Sequence, residues 1–165
     1  MVVPIYAMYN DFMTQWENKT MVDFEIIVGS VLGASEYVAE AIEEKLTEYK
    51  LTSQVHLSPD LTEISNAATW IICTSTHGAG DLPDNIHKFI KQVESTDLSG
   101  TTFILVGLGD SSYDTFCHGA LKIEKILKNS GARLDTPALN IDVLNQPIPE
   151  HSAIQWLEIW LDSRG

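Results

Sequence analysis

Cysteine is scarce: Cys73 and Cys117 are the only two in 165 residues and stand far apart. That count excludes a disulfide scaffold and any CxxC motif, and it fits a reducing compartment. Basic residues are also few, 10 Lys and Arg against 23 Asp and Glu, for a formal charge of −13. A chain this acidic repels nucleic acid and anionic lipid, so neither is expected as a partner. No apolar run approaches the ~20 residues a membrane helix needs, and the N-terminus lacks the basic start and apolar stretch of an export signal. The expectation is a cytoplasmic protein whose partners present basic faces. No HExxH, GxSxG or GxxxxGK[ST] string occurs, and His56, His77, His87, His118 and His151 show no short ligand spacing. Neither a metal centre nor a hydrolase site is expected.

What is present suits one globular domain: 44% hydrophobic and 20% charged residues, at a length that buries a sizeable core. Residues 1–20 stand apart. They are rich in Met and aromatics (Tyr6, Met8, Tyr9, Phe12, Met13, Trp16) without a sustained period. They read as an N-terminal extension, either an appended arm or the product of a start upstream of Met21, ahead of a domain over residues 21–165.

From Phe24 onward, apolar strand-sized runs alternate with helical stripes. Strands are predicted at Phe24–Val28, Gln54–Leu57, Thr69–Thr74, Phe103–Val106 and Leu134–Ile141. Helices are predicted from four stripes. Val38, Ile42, Leu46 and Tyr49 mark the first, and Ile86, Phe89, Ile90 and Val93 the second. Leu121, Ile123, Ile126 and Leu127 mark a third that stops at Asn129-Ser130-Gly131, and the last carries Ile154, Trp156, Leu157, Ile159, Trp160 and Leu161 behind a Ser152 cap. A loop, not a helix, joins the second and third strands. This alternation requires right-handed crossovers and predicts an α/β, doubly wound five-stranded parallel sheet of order 2-1-3-4-5. Ligands bind such a sheet where its winding reverses, between the ends of strands one and three.

Three loops at those strand ends carry the chemistry. The first, Gly29-Ser30-Val31-Leu32-Gly33-Ala34-Ser35, runs straight into a helix, with glycines that let backbone N–H groups turn inward and two hydroxyls beside them. A helix N-terminus favours an anion, and with no Lys or Arg between Gly29 and Glu44 the anion suited is a phosphate monoester held by dipoles. By itself the loop is equally an ordinary serine-capped turn. The second, Ser75-Thr76-His77-Gly78-Ala79-Gly80-Asp81, places glycines beside a ring, as a flat ligand approached closely by backbone requires. The third, Gly107-Leu108-Gly109-Asp110-Ser111-Ser112-Tyr113, leads to Phe116 and Cys117. His77 and Tyr113 on neighbouring loops form a slot for a planar body, although His77 is also at home in a surface turn, and Tyr113 and Phe116 also read as a core-facing aromatic pair, which fits Phe116 better than Tyr113.

The second and third strings resemble the two isoalloxazine loops of the flavodoxin family, which includes the flavin domains of sulfite reductase and cytochrome P450 reductase. The first resembles that family's phosphate loop. The likeness spans about Phe24 to Leu161. It implies a flavodoxin-like FMN-binding electron carrier without catalytic residues of its own. Ser30, Val31, Leu32, Gly33, Ala34 and Ser35 would hold the FMN phosphate. His77, with Ser75, Thr76, Ala79 and Gly80 around it, would cover one flavin face, and Tyr113 would stack on the other. Gly78 would supply the flexible peptide near flavin N5, while Gly107, Leu108, Gly109, Asp110, Phe116 and Cys117 would line the remaining edge. The implied partners are a basic-faced flavodoxin reductase and an acceptor enzyme, both transient, with biotin synthase the acceptor implied by short-chain bacterial members.

Two positions depart from the family pattern. Leu32 stands where many members have threonine, and His77 where many have Trp or Tyr, so one hydroxyl and part of a ring cover are missing. Asp81, Asp84, Asp110 and Asp114 near the flavin edge are expected to disfavour the negative charge that reduction adds. A nicotinamide-binding Rossmann enzyme fits less well, because Gly78-x-Gly80-x-x-Pro83 and Gly107-x-Gly109-x-x-Ser112 both lack the third glycine and neither follows the first strand. A phosphoacceptor receiver domain lacks its acidic pair, aspartate and lysine at the relevant strand ends. A cofactor-free interaction domain on the same fold stays open on residues alone.

Overall fold

The computed structural model describes residues 21–165, so the reading of residues 1–20 as an extension lies outside the described residues. β1 (Phe24–Gly29), β3 (Thr69–Ser75) and β4 (Thr102–Gly109) form the centre of a parallel sheet. Their side chains alternate between two cores. Phe24, Ile26, Val28, Ile71, Cys73, Ile104, Val106 and Leu108 face one side, while Ile27, Trp70, Ile72, Phe103 and Leu105 face the other. Both faces are covered, which is why these strands read as continuous apolar runs.

α1 (Ala34–Glu48) and α4 (Pro149–Arg164) cover the first face through Val38, Ile42, Leu46, Ala153, Leu157 and Trp160. α2 (His87–Glu94) and α3 (His118–Asn129) cover the second through Phe89, Ile90, Val93, Ile123 and Leu127. β2 (Ser53–His56) pairs with the outer edge of β1, so the order is 2-1-3-4 and then a fifth position, as expected. A short 3-10 turn (Leu61–Glu63) occupies the loop between β2 and β3. Among the described residues, no helix is long and apolar enough to cross a membrane.

Four details differ from the sequence reading. The fifth strand is split into β5 (Arg133–Leu134) and β6 (Leu139–Asp142), both parallel to β4. Residues 135–138 lie opposite only Ile104 and Leu105, and Pro137 among them has no N–H to give to a ladder. α4 starts at Pro149, whose fixed φ suits the first helical position, and Ser152 lies inside the helix instead of capping it. Tyr49 falls just past α1 and Leu121 points to solvent, with Ala120 taking the buried place on α3. β4 runs on to Gly109, so Gly107 and Leu108 are strand residues, not loop.

The one charged residue inside a central strand is also settled. Glu25 is buried, with its Oε2 2.6 Å from His56 Nε2 and its Oε1 accepting the Ser65 N–H at 2.9 Å. Both oxygens are thus used, which is the condition for keeping a carboxylate in a core.

Candidate functional site

The C-terminal ends of β1, β3 and β4 lie side by side. The loop after β1 is shaped by hydrogen bonds to a few of its own groups. The Ser30 hydroxyl accepts the Gly33 N–H at 3.0 Å, and Gly33 takes a left-handed φ of 90° to turn the chain into α1. The Ser30 N–H donates to Asn85 Oδ1 at 3.0 Å. Ser35 and Ser75 share a hydrogen bond between hydroxyls at 2.5 Å, tying α1 to β3. Among the described residues, nothing accepts from the N–H groups of Val31, Leu32, Ala34 or Ser35. Ser35 has no solvent exposure, so its N–H is a buried donor awaiting a partner. Val31 and Leu32 project outward, Leu32 being 93% exposed.

After β3 the chain makes a tight turn, with His77 and Asp81 exchanging N–H···O bonds at 2.8 Å in each direction. Gly78 and Gly80 take positive φ within it. A side chain on Gly80 would run into Thr115 and His118, whereas one on Gly78 would meet nothing. Gly80 is therefore a packing glycine, and Gly78 is exposed at the turn with Ala79. The Thr76 hydroxyl accepts the Gly119 N–H at 3.1 Å, which fixes this turn against the start of α3.

Beyond β4 two carboxylates organise the chain. Asp110 accepts from Ser112 N–H at 2.8 Å and from its hydroxyl at 2.5 Å. Asp142, at the end of β6, accepts from the Ser111 N–H and hydroxyl, the Leu144 N–H and the Asn145 amide. The Ser111 hydroxyl foremost holds the Asp142 carboxyl below the usual carboxylate range. Tyr113, 65% exposed, is presented on this clamped loop.

A cleft of about 330 Å³ between the second and third loops is lined by Thr76, Gly78, Gly109, Asp110, Tyr113, Thr115 and Phe116. It gathers six of the residues expected there and adds Thr115. His77 is exposed on the adjoining turn and does not line this cleft. Leu108 packs in the core, Gly107 against Ala120, and Cys117 beneath Gly109 at a left-handed φ of 54°. Burial pushes the Cys117 thiol up to about 11, aided by Asp142, and the Cys73 thiol up to about 12. Both stay protonated near neutrality, which suits packing and not thiolate chemistry. Among the described residues, no His, Cys, Asp and Glu cluster could hold a metal ion.

Asn85 and Asp142 escaped the sequence reading. Asn85 closes the Pro83-Asp84-Asn85 entry to the helix after β3, a position that reads as turn chemistry alone. Asp142 carries no local signal, since its role exists only once β6 lies beside β4.

The flavodoxin family model matches residues 26–156. Protein MioC of Escherichia coli O157:H7 is 43% identical over 144 residues, covering 86% of this chain and 98% of its own. A MioC homolog of Haemophilus influenzae is 40% identical, covering 83% and 95%. Among solved structures, a flavodoxin variant from Pseudomonas aeruginosa superposes with a TM-score of 0.77 at 31% identity, over 83% of this chain and 95% of that one. A Fusobacterium nucleatum flavodoxin bound to flavin mononucleotide shares the fold, with a TM-score of 0.72 at 20% identity over 87% and 99%.

Proposed function

The chain belongs to the flavodoxin family, and on that premise we propose that it binds FMN across the loops after β1, β3 and β4 and carries electrons from a reductase to an acceptor enzyme. One observation supports this most directly: the buried N–H of Ser35, without an acceptor among the described residues, with those of Val31, Leu32 and Ala34 beside it at the N-terminus of a 15-residue helix. A buried donor left unpaired costs about 1–3 kcal/mol. A phosphate oxygen would satisfy it, and the helix dipole favours the charge. The cleft between the loops after β3 and β4 has the polar groups and exposed phenol that suit a planar ring.

FMN, when bound, supplies the redox chemistry. The chain's own work is to hold the phosphate through the first loop, to lay Tyr113 on the ring and to present the Gly78 peptide to the ring's edge. His77, exposed on the turn beside the cleft, is the residue we propose for the other face. Titrating the apoprotein with FMN tests the reading. Saturable quenching of flavin fluorescence at one FMN per chain is expected, and no quenching defeats it.

The charge of −13 supports a transient reductase partner with a basic face. The rate of reduction by such an enzyme should fall steeply as salt is raised, and a salt-independent rate removes electrostatic docking. Biotin synthase is the acceptor we propose. A reconstituted system with reductase and this protein should support biotin formation, and failure there would set that acceptor aside while leaving the FMN reading intact.

A further inference from the structure

Asn85 is half-buried and uses both ends of its side-chain amide to hold three segments of chain together. Its Oδ1 accepts the Ser30 N–H at 3.0 Å, and its Nδ2 donates to Val28 O at 2.7 Å and to Leu57 O at 2.9 Å. Those partners are the first residue after β1, the last-but-one residue of β1, and the residue following β2. Asn85 itself begins the helical stretch after β3, within the 3-10 turn Asp84–Ile86. One amide therefore joins the ends of β1 and β2 to the 3-10 turn Asp84–Ile86, beside the phosphate loop.

The consequence for that loop is directional. With its first N–H bound to Oδ1 and its Gly33 N–H bound to the Ser30 hydroxyl, the loop is fixed at its entry and at its bend. The N–H groups of Val31, Leu32, Ala34 and Ser35 are left over between and after those two points. A donor tethered to the protein does not compete for the anion, and the tether removes entropy that a ligand would otherwise have to remove on binding. Aspartate at this site could accept but not donate twice, and it would add negative charge beside the anion. Only an amide offers one acceptor and two donors from one planar group.

We propose that Asn85 is a positioning residue for phosphate recognition, one that pre-forms the loop after β1 without contacting the ligand. This rests on the reading that the loop holds the FMN phosphate. The distinguishing comparison is FMN against riboflavin, which carries the same ring without the phosphate. In Asn85→Ala and in the near-isosteric Asn85→Asp, the FMN dissociation constant should rise on the order of tenfold or more. The riboflavin constant should change by less than about twofold, since riboflavin lacks the phosphate that this loop holds. Equal weakening of both ligands would show a general structural role and overturn the proposal.

A measurement on the unaltered protein keeps the proposal falsifiable if both variants fail to fold. By residue-resolved hydrogen exchange, the Ser30 N–H should be protected in the apoprotein, whereas those of Val31, Leu32, Ala34 and Ser35 gain protection only with FMN. A Ser30 N–H that exchanges as fast as its neighbours in the apoprotein overturns the role of Asn85. If Ser30 is protected but FMN protects none of the four, the phosphate-site reading fails while the tether stands.

Discussion

The loop after β1 and the loop after β4 lie at the same end of the sheet and treat their polar groups in opposite ways. Among the described residues, the first leaves the N–H groups of Val31, Leu32, Ala34 and Ser35 unspent, that of Ser35 buried, and it has no cation within it. The second ties two of its serines to carboxylates: Ser112 to Asp110 within the loop, and Ser111 to Asp142 on β6. A charged ligand group needs free donors, and a neutral ring needs a rigid wall. The contrast teaches that a binding loop is recognised as much by what it leaves unbonded as by its composition.

The largest effect is expected where the wall is packed hardest. A Cβ on Gly109 would sit 2.7 Å from the Cys117 backbone nitrogen and 3.0 Å from the Phe116 ring. Gly109→Ala should cost about 1–3 kcal/mol in urea unfolding and weaken FMN and riboflavin alike. An unchanged midpoint would mean that the loop after β4 is soft, and the contrast would break.

The first loop should respond with the opposite selectivity. Leu32 is 93% exposed, so Leu32→Thr loses no packing and adds one hydroxyl that can reach the phosphate. FMN binding should tighten by about tenfold, since a hydrogen bond to a charged group is worth ~1.5–3 kcal/mol, with riboflavin unmoved. Fluorescence quenching checks it, and an unchanged or poorer FMN affinity sinks it. Tyr113→Ala should weaken both ligands by only a few-fold, in line with the ~0.5–1.5 kcal/mol of an aromatic pair. Loss confined to FMN would misplace Tyr113.

Acid sharpens the comparison further. Asp142 has its carboxyl held below the ordinary value in the folded protein, so its contribution is fully present above the unfolded pKa of about 3.9. It is lost as pH falls through the lower, folded value. Ser111 and Tyr113 amide signals should therefore broaden in acid before the core unfolds, and Asp142→Asn should flatten that dependence. The smallest effect concerns the thiols. With Cys117 pushed up to about 11 and Cys73 to about 12, neither should react with a thiol reagent at pH 8 until the protein is denatured. Prompt labelling of Cys117 would show the wall beneath Gly109 to be open.

The sheet was legible because its signal is local. Each central strand is a mainly apolar run, interrupted in β1 by Glu25 alone, and each helix carries its stripe within a few residues. The split at Pro137 is harder to read, because Leu134, Ala138, Leu139 and Ile141 fit one strand-sized stretch and the two-residue excess appears only against β4. Loop composition pointed to the cleft, yet it could not say that Leu108 faces the core, because β4 continues three residues past Val106. Asn85 and Asp142 act across 55 and 31 residues of sequence, respectively, so no spacing rule reaches them.

The broken fifth strand has a consequence for how these molecules meet each other. A straight outer strand offers a zipper of free N–H and C=O groups to any neighbour's sheet. Here the outer rail is two short pieces with a proline-bearing step between them. A second molecule therefore finds no continuous track to extend, and crowding at high concentration should not seed sheet-to-sheet growth along that margin.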